Sequence, residues 1–195
     1  GLAELDENRV GTEKLAEEIV FDESGTAAEV TLKEGIAFSD GSGLNAEEVI
    51  KSYQAYAEML KKEGRPLGLL ASLSGAAEFV NGEAESLSGI SQTGLNTIQF
   101  KFTEADYRNL DVLTVPLAKD AGERMIGCGE YCIEKENPRK EITLTRSENT
   151  NFHEFDYNEI SFQYFTGTQI EKTLEDYGAD VMPAGQETNA EQIKD

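Results

Sequence analysis

The sequence predicts an α+β domain, and three observations predict it. Short alternating segments pair across polar turns as hairpins would, amphipathic helical stretches are interspersed among them, and no regular βαβ repeat recurs. At 195 residues the chain suffices for one sizeable core, or for one core with a small subdomain.

Charge sets the first limits on function. The chain carries 38 acidic against 17 basic residues, a formal charge of −21, and no Lys/Arg cluster interrupts it. Such a surface repels polyphosphate, so nucleic acid is excluded as a partner. No apolar run is long enough to span a bilayer, and no basic, apolar, small-residue leader stands at Gly1. The expectation is a soluble, already trimmed chain. Cys128 and Cys132 are four apart in an extended approach to a strand, a separation of roughly 13 Å that exceeds disulfide reach. They read as free thiols or small buried hydrophobes.

Taken in order, Leu15 to Phe21 and Ala28 to Leu32 are apolar stretches separated by Asp22-Glu23-Ser24-Gly25, the pattern of a hairpin with a polar turn. Val30 to Lys33 leads into a Gly-rich loop at Ser39-Asp40-Gly41-Ser42-Gly43. No Walker lysine or GxGxxG follows that loop, so it does not read as a phosphate cradle. Asn45 then caps a helix beginning near Ala46, with Glu48 placed to complete a capping box. Val49, Tyr53, Tyr56 and Leu60 share its buried face, Glu47, Lys51, Glu58 and Lys61 stay wet, and Gly64-Arg65-Pro66 ends it. Leu67 to Leu73 is a short apolar turn or helix, and Gly75 to Gly82 a further helix stopped by its glycine. Ile98, Phe100 and Phe102 alternate as a half-buried strand, and Tyr107 to Leu117 is a Leu/Val-rich segment ending at Pro116, which the family resemblance given below implies is a helix. Lys140 to Arg146 and Tyr157 to Phe165 alternate as strands, the second with Ile160, Phe162 and Tyr164 on one face. Gln169 to Tyr177 is a helix with Ile170 and Leu174 inward, and Gly185 to Asp195 is a polar tail.

The run Leu32, Gly35, Phe38, Ser39, Asp40, Gly41, Asn45, Ala46, Glu47, Glu48, Val49 resembles the "LKEGIKFSDGSPLTAEDVVYSY" signature of family 5 extracellular solute-binding proteins. A second passage is similar at Gly75, Ala76, Glu78, Phe79 and Gly82 and at Ser88-Gly89-Ile90. Ile126 to Ile133 resembles the family's "GTGPYKI", with Cys128 where Thr is usual and Glu130 where Pro is usual. Losing that proline relaxes a rigid corner and restores a backbone donor. Ile142 to Arg146 resembles "ITLERN", Asn149, Asn151 and Phe152 a "NPDYW" loop without its Trp, and Gly178 to Val181 "GEIDI". Gly1-Leu2-Ala3-Glu4 is similar to "GLAESW", which lies inside a domain, and Leu5-Asp6 departs from the Ser-Trp.

The resemblance implies an excised piece of a type II periplasmic-binding-protein fold, a portion of lobe I. Residues 34–155 would form its small subdomain, residues 1–33 and 156–182 strands and a helix of the main lobe, and residues 183–195 a tail toward the second lobe. It further implies the substrate-binding component of an ABC importer, with a peptide or small-molecule ligand and permease subunits as partners. The setting would be exported, periplasmic or lipid-anchored outside the cytoplasmic membrane, with the membrane met only through an upstream anchor. A sensor or interaction module built on the same fold is the alternative. Nothing points to an enzyme, a cofactor or a metal. His153, the one histidine, sits in a polar loop without an orienting signature, the carboxylate pairs are those that so acidic a chain holds by chance, and the Gly-rich loop lacks the charge of a calcium loop. Tyr53, Tyr56, Phe100, Phe102, Phe162 and Tyr164 fall at core periods. Phe38, Ser39 and Tyr131 abut Gly-rich corners and are the candidates for lining a ligand cleft, against the favoured reading of each as a structural corner residue.

Overall fold

The computed structural model describes residues 1–122, 124–138, 140–148 and 157–163. The chain divides into two compact units, Gly1–Cys132 with Arg146–Asp156, and Ile133–Thr145 with Tyr157–Asp195.

The first unit opens with a hairpin of β1 (Ala3–Leu5) and β2 (Gly11–Glu13), followed by β3 (Ala16–Phe21) and β4 (Ala27–Leu32). The turn between β3 and β4 is organised by Asp22, whose carboxylate accepts from the Thr26 and Ala27 N–H groups at 3.0 Å and from the Ser24 hydroxyl at 2.6 Å. Next come α1 (Ala46–Glu63), a 3₁₀ turn at Gly68–Leu70 and α2 (Ala76–Asn81). They lead to β5 (Ile90–Gln92), β6 (Thr97–Lys101), α3 (Asn109–Leu113), β7 (Ala118–Asp120) and β8 (Met125–Gly127). An antiparallel sheet in the order β3-β4-β6-β5 forms the centre, with Val30 opposite Ile98 and Ala28 opposite Phe100. All four of those side chains are buried.

Helix α1 covers that sheet for the reasons its sequence contains. The Asn45 side chain accepts from the Glu48 N–H at 3.0 Å, and Gly64 ends the helix at φ 63°, where its own N–H and that of Arg65 return to Lys61 and Leu60 carbonyls. Val49, Tyr53, Ala57 and Leu60 are buried, while Tyr56 is only half-buried. The Tyr53 ring lies 5.3 Å from that of Phe100, and its hydroxyl donates to the Val112 carbonyl at 2.7 Å, so a fully buried polar atom is satisfied.

The two motif blocks beyond α1 meet backbone to backbone. A Cβ on Gly89 would stand 2.3 Å from the Ser74 carbonyl oxygen, and Gly75, at φ 76°, is equally tight against the Ser88 hydroxyl at 2.2 Å. Glycine leaves room for the Ser74 N–H to reach the Lys101 carbonyl at 3.0 Å and the Lys101 N–H to reach that of Gly89 at 2.7 Å.

A three-stranded sheet in the order β11-β10-β9 comprises β9 (Tyr131–Asn137), β10 (Glu141–Arg146) and β11 (Glu159–Gln163). Ile142 faces Phe162 and Leu144 faces Ile160. Phe162, expected in the core from its alternation, is 56% exposed, because alternation marks one face of a strand without supplying a layer to cover it. Two further expectations are revised, and one motif passage is divided between elements. The helix read from Tyr107 to Leu117 contracts to the five residues of α3, since Thr114 closes the turn and Pro116 cannot continue it. The strand read as Val30 to Lys33 is Ala27–Leu32. The "GTGPYKI"-like passage is split between β8 and β9, which belong to different sheets. Tyr164, the Asn149–His153 loop, the helix at residues 169–177, the "GEIDI"-like segment and the polar tail lie outside the described residues.

Candidate functional site

The Gly-rich loop before α1 is closed by an antiparallel bridge between Ala37 and Gly43, with the Phe38 N–H donating to the Ser42 carbonyl at 2.8 Å. Gly41 takes φ 82°, which lets its N–H turn back to the Phe38 carbonyl at 2.9 Å. Inside the loop the Asp40 carboxylate accepts from the Ser42 hydroxyl at 2.6 Å and pairs with the Lys119 ammonium at 2.9 Å. Lys119 also donates to the Ser42 hydroxyl and stands 5.0 Å over the Phe38 ring. The Ser42 hydrogen bond first, and Lys119 second, hold the Asp40 carboxyl well below the usual carboxylate range.

That loop is fastened to the corner between β8 and β9. The Ser39 N–H donates to the Gly127 carbonyl at 3.0 Å, and the Ser52 hydroxyl of α1 donates to the Ala118 carbonyl of β7 at 2.8 Å. Ala118 pairs in turn with Gly127 across the β7-β8 hairpin. Helix, loop and hairpin therefore set the position of Cys128-Gly129-Glu130-Tyr131 as one body. An open groove of about 430 Å³ runs along this corner, lined by Lys14, Leu15, Pro116, Leu117, Ala118 and residues 127–131, together with Gly1. A second, more polar hollow of about 560 Å³ shares Gly1, Lys14 and Glu130 and adds Glu4, Arg9, Asp111 and Thr114 among its walls.

The three residues singled out from sequence take different places. Phe38 is fully buried beneath Lys119, Ser39 is half-buried and bonded through its backbone to Gly127, and Tyr131 is half-buried on the wall of the groove. They are brought into one neighbourhood through Gly127, and Tyr131 is the one that lines the hollow. Lys119, Lys14, Leu15 and Leu117 were missed because nothing in their local pattern separates them from ordinary surface or strand residues. Glu130 did carry a signal, its departure from the proline of the motif.

The Cys128 thiol on the groove wall is not primed for nucleophilic chemistry. Burial pushes the Cys128 thiol up to about 12, so it stays protonated at neutral pH and is a poor nucleophile. Among the described residues no group of three or more His, Cys, Asp or Glu could hold a metal ion, and no helix is long and apolar enough to cross a membrane.

Solved structures with the same fold define the class first. A periplasmic oligopeptide-binding protein of Borrelia burgdorferi superposes with a TM-score of 0.71 at 20% identity over 90% of this chain and 38% of its own. The pheromone receptor PrgZ, described with its mode of peptide binding, gives 0.75 at 15% identity over 91% of this chain and 39% of its own. NikA from Brucella suis, in complex with Fe(III)-EDTA, gives 0.69 at 14% over 91% and 35%. The fold is thus of the α+β periplasmic-binding-protein kind, and the chain spans little more than a third of the length of these structures. The chain belongs to the bacterial extracellular solute-binding proteins, family 5, whose model matches residues 12–195. No curated protein matches it in sequence.

Proposed function

We propose that the protein containing this chain is the substrate-binding component of an ABC importer, which captures an oligopeptide outside the cytoplasmic membrane and hands it to permease subunits. The chain is a portion of lobe I, with a small subdomain and strands that return to the main sheet of that lobe. The groove beside Tyr131 lies toward the ligand cleft, with Phe38 and Ser39 supporting its rim from beneath. The protein is exported, free in the periplasm or held by a lipid at the outer face of the membrane, and it performs no chemical step. Its work is closure of two lobes on a ligand that prefers the closed state.

The observation that carries this reading is the family match over residues 12–195, coincident with a groove built at the corner where two of the family's motifs meet. Native mass spectrometry of the full-length protein, purified without denaturation, tests it beside the 195-residue chain. Co-purifying peptides on the full-length protein, with at most weak retention on the chain alone, are expected, since half a cleft lacks half the contacts and all of the closure. Failure of the full-length protein to carry or accept any peptide from a mixed panel would overturn the reading.

A further inference from the structure

Two buried side-chain oxygens, Asn109 Oδ1 and Ser72 Oγ, meet no protein partner among the described residues. Asn109 stands at the first position of α3 and is 1% exposed. Both hydrogens of its side-chain amide are engaged, one by the Gly25 carbonyl at 3.0 Å and one by the Glu104 carbonyl at 2.9 Å. These bonds fix the sense of the amide, because the flipped group would set Oδ1 against two carbonyl oxygens. Oδ1 is therefore an acceptor held inside the protein with no donor.

The Ser72 hydroxyl flanks the same stretch of backbone. The Thr103 N–H donates to the Ser72 carbonyl at 3.0 Å, the carbonyl of the next residue, Glu104, accepts from Asn109, and the 3₁₀ turn just before Ser72 packs on α3. The neighbouring Phe102 N–H is already engaged by the Thr26 carbonyl at 2.8 Å. A buried amide oxygen and a buried hydroxyl each cost free energy when left alone. The hydroxyl can donate and the amide oxygen can only accept, so a molecule that accepts from one and donates to the other satisfies both. Water is the smallest molecule that does so, and interior waters join otherwise unsatisfied groups of this kind.

We infer that this junction is a binding site for one ordered water, which accepts from the Ser72 hydroxyl and donates to Asn109 Oδ1. The water fastens the segment after β6 to the turn before α2 and to the start of α3, three parts of the chain distant in sequence. Because both atoms lie in the interior, the site is independent of the proposed transport role.

High-resolution crystallography of the full-length protein tests this, with wild type beside Ser72→Ala. In wild type a water peak is expected within about 3.2 Å of both oxygens. In Ser72→Ala that peak is expected to vanish or to fall to a fraction of its wild-type occupancy, while the bonds from Asn109 to Gly25 and Glu104 persist. A wild-type map without a shared peak overturns the inference, as does one in which the two oxygens bond each other or other protein groups. An undiminished peak in Ser72→Ala overturns the bridge by showing that Ser72 does not hold the water. Should that variant fail to fold, the wild-type map decides alone.

Discussion

Tyr53 shows how much one side chain does in this fold. Its ring packs on Phe100 from the helix side, and its hydroxyl satisfies the Val112 carbonyl from 59 positions away. Burial raises its pKa well above the ordinary phenol value, so it stays a donor at every working pH. Tyr53→Phe keeps the ring and removes this hydrogen bond, leaving the Val112 carbonyl to the Val115 N–H at 3.3 Å, and a loss of about 1 kcal/mol in urea unfolding is expected. Asp40 is a residue of a different kind, exposed and tied to Ser42 and Lys119. Its folded pKa lies below the ordinary 3.8, so its stabilising effect is complete above that value and is lost as pH falls through the depressed one. The stability difference between wild type and Asp40→Asn should accordingly be constant near neutrality and shrink to nothing in acid, as melts across pH would show. A difference that grows on acidification would contradict this. Of the three residues singled out by motif position, Tyr131 lies on the groove wall and Ser39 is bonded through its backbone to Gly127. That Phe38 would lie beneath a lysine from β7 was not legible in the sequence, since the contact joins residues separated by most of the domain.

At the scale of elements, α1 was almost wholly legible. Its cap, buried stripe and terminating glycine are local signals, and each interaction forms within a turn or two of chain. The three-residue strands β1, β2, β5, β7 and β8 are too short for alternation to register, and only their partners make them strands. The glycines of the second motif block belong to both levels. Sequence marked Gly75 and Gly89 by resemblance, and the tertiary structure supplies the reason, an approach of two chain segments that admits no Cβ. Gly89→Ala should destabilise by about 3 kcal/mol or more, because the nearest obstruction is the Ser74 backbone and cannot rotate aside. A melting temperature equal to wild type would show that the α2 and β5 segments separate without cost.

For the whole molecule, charge is the dominant quantity. The ion pairs seen between described residues lie mostly at the surface, and such pairs add little, whereas a formal charge of −21 works against compactness throughout. Screening shortens the reach of that repulsion to about 8 Å at physiological ionic strength. Raising sodium chloride from low to molar concentration should therefore increase the melting temperature, and a fall would mean that the ion pairs outweigh the self-repulsion. Sequence by itself determined the fold class, the signature helix, the principal hairpin and the family, because helix caps, periodicity and motif order are written in neighbouring residues. Only the tertiary structure decided which residues meet at the groove, and that Lys14 and Arg9 pair with Glu4 and Asp111. Those facts depend on β1, the β1-β2 turn, α3 and the β8-β9 corner converging from distant parts of the chain, and long-range convergence leaves no local trace in composition or spacing.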